Sequence, residues 1–199
     1  MKNILFVNSE TNGLPAKGMY EVTEKNYEKW PNLVSLHYKI GTYNKKNNTI
    51  EIKYKKYFLI KPENFKISKK SIEFHGITNK KARLKGNDIK LVLKKLKNDI
   101  EKFKIKIIVG HNINFDLNIL KAEIKRYELD LNLDLLKVDT INFFHNYDFP
   151  KLGDLYLKLF NKVFKKSHPR KSNINIIIKC FEYLYGEHVK SIKKRKIEK

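Results

Sequence analysis

Cysteine is almost absent from this chain of 199 residues: Cys180 is the only one. A lone thiol excludes an internal disulfide and a multi-cysteine zinc site, and a reducing, intracellular location is the simplest reading. Arginine is scarce as well, with 4 residues against 39 lysines. A refined phosphate-binding surface favours the planar fork of arginine, so this imbalance fits codon bias better. Lysine, isoleucine and asparagine, all with A/T-rich codons, account for 83 residues. The net charge of +22 is therefore only a weak pointer to a polyanionic partner. No run approaches the ~20 apolar residues of a membrane span, so no membrane partner is expected. The apolar start, residues 1–7, is too short for a signal peptide and lacks a cleavage site. What is present is an apolar fraction of 41% and an aromatic fraction of 12%, enough for one well-packed domain.

Lys2–Val7 (KNILFV) is a short apolar run that ends in small and polar residues and predicts a buried strand. Leu33–Tyr43 and Thr49–Ile60, rich in Val, Ile, Tyr and Phe, flank the polar turn Asn44–Asn48 and predict a hairpin. Ile89, Val92, Leu93, Leu96, Ile100 and Phe103 recur at helical spacing behind a cap at Asn87 or Asp88. Ile105–Val109 reads as a second buried strand and Leu135–Asp139 as a further short one. Helices are expected over Asp116–Arg126, Lys151–Phe160 and Ser172–Tyr185. Three leading strands followed by strands alternating with helices indicate an α/β fold with a mixed sheet. Lys190–Lys199 lacks an apolar stripe and reads as a frayed basic tail, with nuclear import or nucleic-acid contact as the alternative.

Four segments carry candidate chemistry. In Phe6–Pro15 (FVNSETNGLP), Asn8 and Glu10 lie two apart on one strand and so share a face. Taken alone, the segment is an ordinary loop. In Ser71–Thr78 (SIEFHGIT), His75 can simply close a short helix beside a glycine. In Val109–Asp116 (VGHNINFD), a strand runs into a helix, where an aspartate often serves as cap or dipole partner. In His168–Asn173 (HPRKSN), a lone histidine precedes the last helix.

In combination these segments resemble the DEDDh, or DnaQ-like, exonuclease family. That family carries D-x-E-T-x-G-L-P on its first strand, H-G-I-T after a short helix, H-N-x-x-F-D at a strand–helix junction and H-x(4)-D at its last helix. NSETNGLP, HGIT, HNINFD and HPRKSN follow in that order here. KLGDLYLKLF (Lys151–Phe160) and VDT (Val138–Thr140) are similar to two further family segments, and the resemblance spans about Lys2 to Tyr185. The WPNLV and KCFEYL segments resemble versions in large DNA viruses, which extends the expected location to nucleus or viral factory.

The resemblance implies an RNase H-like fold, with antiparallel leading strands, then parallel strands, flanked by helices. One domain over residues 1–187 and a basic tail over 188–199 are expected. It also implies hydrolysis of the terminal phosphodiester at a single-stranded DNA or RNA 3′ end. In the family, two Mg²⁺ or Mn²⁺ ions are held by four carboxylates, with a histidine as general base. On this chain the four ligand positions are Asn8, Glu10, Asp116 and Asn173, and the base is His168. Thr11 and Leu14 would meet the terminal nucleotide, with Leu14 wedging its base. His75, Asn112 and Phe115 would line the same cleft.

Two of the four ligand positions are thus asparagines. Ile174, Ile177, Ile178 and Phe181 keep the family's apolar spacing and support the register at Asn173. A carboxamide oxygen coordinates a cation but brings no charge, so the ligand charge is halved. Each lost carboxylate removes several kcal/mol at ~3 Å and an effective dielectric of about 20. One ion or none is expected instead of two. A natural pseudo-enzyme, a deliberate Asp→Asn substitution and a slow enzyme with an unusual metal demand all fit. Three functions follow: a module that binds single-stranded 3′ ends with catalysis lost or weak, an active metal-dependent exonuclease releasing nucleoside monophosphates, or an interaction protein that keeps only the fold. The charge of the site favours the first.

Overall fold

The computed structural model describes residues 2–143, 151–163 and 173–197. Three strands lead, β1 (Asn3–Thr11), β2 (Leu33–Asn44) and β3 (Thr49–Leu59), followed by helices α1 (Lys69–His75), α2 (Asn79–Lys85) and α3 (Ile89–Lys102). Then come β4 (Ile107–Gly110), α4 (Ile113–Arg126), β5 (Leu136–Asp139), α5 (Leu152–Phe160) and α6 (Asn173–Ile197). The sheet has the order β3-β2-β1-β4-β5, antiparallel from β3 to β1 and parallel from β1 to β5. This is the mixed α/β, RNase H-like architecture that the sequence predicts.

β1 is central and buried on both faces, which is why its sequence is a continuous apolar run and not an alternating one. Leu5 and Val7 join one core with Val92, Leu93 and Leu96 of α3 and Leu117 and Leu120 of α4. Ile4 and Phe6 point the other way and pack with Ile174, Ile177, Ile178 and Phe181 of α6. Alternation then carries Asn8 and Glu10 onto the α6 face of the same strand.

Several boundaries differ from the sequence expectation for local reasons. β4 starts at Ile107, not Ile105, because the Ile105 N–H closes the end of α3 on the Ile100 carbonyl. α4 starts at Ile113, three residues before Asp116, because an acceptor from β5 caps it (below). α2 was not anticipated; the Thr78 side chain caps it by accepting from the Lys81 N–H. α6 continues to Ile197 without a break at Gly186, so the basic stretch from Lys190 to Ile197 has a helical backbone. The loop before β2 is pinned to α4: Arg126 pairs with Glu123 at 3.0 Å and donates to the Tyr27 and Trp30 carbonyls. Glu123 in turn accepts the Leu33 N–H at 2.7 Å.

Candidate active site

The parallel pairing of β1 with β4 ends at Phe6↔Val109, and both strands run on past it. The crevice beyond the C-terminal ends of parallel strands is where α/β sheets bind ligands. A cavity of about 760 Å³ opens there. β1 contributes Asn8, Ser9, Glu10 and Thr11, and the turn after it contributes Leu14. α1 contributes Phe74 and His75, the start of α4 contributes Asn112, Phe115 and Asp116, and α6 contributes Asn173. Nine of the ten residues singled out from the sequence therefore border one cavity. The tenth, His168, lies outside the described residues.

Asp116 is buried in the first turn of α4 and is not its cap. One carboxylate oxygen accepts both the Ser9 N–H and the Ser9 hydroxyl, each at 2.6 Å. Burial pushes its pKa up to about 7, and the Glu10 charge adds to the rise against the two Ser9 bonds. The helix is capped from β5. Asp139 accepts the Asn112 and Ile113 N–H groups at 2.9 Å each, and the Ile141 N–H at 3.0 Å. Asn112, in the left-handed region at φ 58, makes no side-chain cap of its own. Thr140 donates its hydroxyl to the Gly110 carbonyl, so it accepts from Nδ1 of His111 at 2.9 Å. The strand–helix junction that delivers Asp116 is thereby locked by the VDT segment.

His75 is buried and has a positioning task as well. Its Nδ1 accepts the Ile77 N–H at 3.0 Å, so Nε2 carries the proton and faces the Thr11 carbonyl at 3.3 Å. The ring ties the end of β1 to the end of α1, where Gly76 takes φ 74 as the C-cap. The lip of the cavity is apolar and open: Leu14 is 83% exposed and Phe74 is 55% exposed. Phe74, Ser9, His111, Lys70 and Lys151 also line the cavity but were not singled out from the sequence. Ser9, between two motif residues, His111, which opens the HNINFD segment, and Phe74, beside His75, had a positional signal. Lys70 and Lys151 come from the ends of α1 and α5, whose approach to the cavity is set by the fold.

The donor set that the resemblance assigns to divalent cations is poor in charge. Only Glu10 and Asp116 are carboxylates among the four ligand positions, and one Asp116 oxygen is already engaged by Ser9. Among the described residues no group of three His, Cys, Asp or Glu is placed to hold a metal ion. Asp139 does not compensate, because its oxygens cap α4. Asp154 lies exposed in the first turn of α5.

The exonuclease family model of RNase T type matches residues 37–171, about two thirds of the chain. The chain belongs to the DnaQ-like 3′–5′ exonuclease family. That family generally uses divalent metals. The matched stretch includes neither Asn8 nor Asn173. Solved structures share the fold of this exonuclease domain. E. coli exonuclease I in complex with a dT13 oligonucleotide superposes with a TM-score of 0.70 at 15% identity, covering 98% of this chain and 43% of that one. Product-bound exonuclease I gives 0.68 at 16% identity over 92% and 43%. E. coli exonuclease I in complex with a dA16 oligonucleotide gives 0.67 at 15% identity over 92% and 41%. The chain thus spans about two fifths of the length of these structures. A search of curated proteins returns no match. No helix among the described residues is long and apolar enough to cross a membrane.

Proposed function

We propose that this exonuclease-family protein captures the 3′ end of a single nucleic-acid strand in the large cavity and hydrolyses it weakly or not at all. The observation that carries this reading is the gathering of Asn8, Glu10, Asp116 and Asn173 on one cavity with only two carboxylates among them. A carboxamide has nearly the shape of a carboxylate, so the cavity keeps its form while its charge falls. One divalent cation at most is expected, held by Glu10 and Asp116; it would supply charge neutralisation of a bound phosphate. Loss of two negative charges also reduces repulsion of that phosphate.

The remaining surface suits a terminal nucleotide. Leu14 and Phe74 offer apolar area on the lip and Phe115 lies deeper, while Lys70 and Lys151 stand on the rim. Bases stack on such surfaces whatever their identity. Thr11 is held in the turn by its own bond to the Gly13 carbonyl at 2.6 Å. His168, as the family's base position, belongs to this reading by resemblance alone.

The test is a metal-dependent cleavage assay with a 3′-labelled strand, run on this chain beside its Asn8→Asp/Asn173→Asp variant. Release of mononucleotides by the variant alone supports the reading. Equal release by both makes the protein an active exonuclease and removes the electrostatic argument.

A further inference from the structure

A second cavity, of about 500 Å³, lies further along α6. Its walls are Tyr156 and Phe160 of α5, Lys162 beyond that helix, Lys179 and Tyr183 of α6, and Asn48 of the turn between β2 and β3. The Phe160 ring centre is 4.8 Å from that of Tyr156 and 5.6 Å from that of Tyr183. Tyr156 and Phe160 pack on a small core of Leu155, Ile176 and Cys180. Tyr183 is 45% exposed, so the cluster ends in one open ring.

The surroundings are basic. Lys162 and Lys179 are exposed at the cavity, and Lys45 and Lys46 are exposed in the turn that carries Asn48. Of the two acids on the wall, Glu182 is committed to the Ile50 N–H at 2.6 Å; the other is Glu187.

We propose that this cavity is a second contact site for single-stranded nucleic acid, taking one base on Tyr183 and neighbouring phosphates on Lys162 and Lys179. An open aromatic ring sharing a cavity with two lysines suits the alternation of flat base and charged phosphate along a strand. An acidic peptide would use the lysines but leave the ring without a partner. Tyr183 lies ten residues after Asn173, about 15 Å along the helix, so one strand can reach from this cavity to the large one. The inference rests on the reading of the chain as a nucleic-acid binder, but it does not require a 3′ end.

That difference supplies the experiment. A fluorescent circular oligothymidylate has no end to insert into the large cavity, and its binding is followed by anisotropy. Tyr183→Ala should weaken it about tenfold, and Tyr183→Phe should retain it. Lys162→Glu/Lys179→Glu should weaken it and flatten its salt dependence. Leu14→Asp should leave the circle bound while weakening a linear strand. Equal binding of the circle by Tyr183→Ala and the unaltered protein would overturn the site, as would its displacement by polyglutamate at matched charge. Failure to bind the circle with retention of the linear strand removes this site alone. Failure with both removes the nucleic-acid reading itself.

Discussion

Two parts of the large cavity contrast. The part that would meet a nucleotide is built from shape and apolar area: Leu14 and Phe74 on the lip, Phe115 within, and the Thr11 turn braced by His75. The part that, on the proposed reading, would hold cations depends on charge, and of Asn8, Glu10, Asp116 and Asn173 only two are carboxylates. The difference teaches that the two tasks of such a site respond to different changes. Replacing a carboxylate by its near-isosteric amide leaves packing and strand geometry intact. It alters only the electrostatics, which is the quantity a cation pair depends on. A chain can therefore keep the cavity and lose the reaction.

The sharpest way to break this contrast is to restore the charge. Asn8→Asp/Asn173→Asp should raise Mn²⁺- or Mg²⁺-dependent cleavage at least about a thousandfold, measured as mononucleotide release. The same variant should gain thermal stability on adding the metal, whereas the unaltered protein should gain little. Next in size is damage to the other part. Leu14→Asp should weaken capture of a linear strand by about tenfold to a hundredfold without altering the melting temperature, since Leu14 is exposed. Little or no change in affinity would mean that the lip does not meet the nucleotide.

Smaller effects probe the scaffold beneath both parts. Asp139→Ala removes the acceptor of three backbone N–H groups and should cost about 2 kcal/mol in denaturant unfolding. An unchanged midpoint would show that α4 is held in place by its core packing alone. The smallest effect concerns pH. Burial raises the pKa of Glu123 above the ordinary glutamate value of 4.5, against the pull of Arg126 and the Leu33 N–H. The folded state then holds a proton that the unfolded chain has released. The contribution is full below the unfolded value and is lost as pH rises through the folded one. Glu123→Gln should flatten that part of the stability–pH curve, and an identical slope in both proteins would count against it.

Much of the fold was legible because its determinants are local. The strand at β1 follows from an unbroken apolar run, and α3 from its stripe and the Asp88 cap, whose carboxylate accepts the Lys90 and Leu91 N–H groups. The convergence on one cavity was legible only through the order of four short motifs, each of which has an ordinary reading by itself. Asp139 was not legible. Its sequence neighbours say nothing of the α4 terminus it caps, 26 and 27 residues away. Phe74 was legible only by its place beside His75, because an aromatic residue on a short helix otherwise looks the same whether it faces a core, solvent or a cavity. Ile105 looked like strand and is instead the closing turn of α3, since its N–H had a nearer partner in the Ile100 carbonyl.

By itself, then, the sequence determined the pattern of elements, the family and which residue types stand at the four positions that the resemblance assigns to metal ligands. These depend on residue type and on periodicity over short spans. Tertiary structure decided which residues share a cavity, which acid caps a helix instead of serving the site, and where an aromatic ring stays open beside lysines of other elements. Those outcomes depend on approach between segments far apart in the chain. Burial and hydrogen-bond satisfaction select that approach, and no local pattern records it.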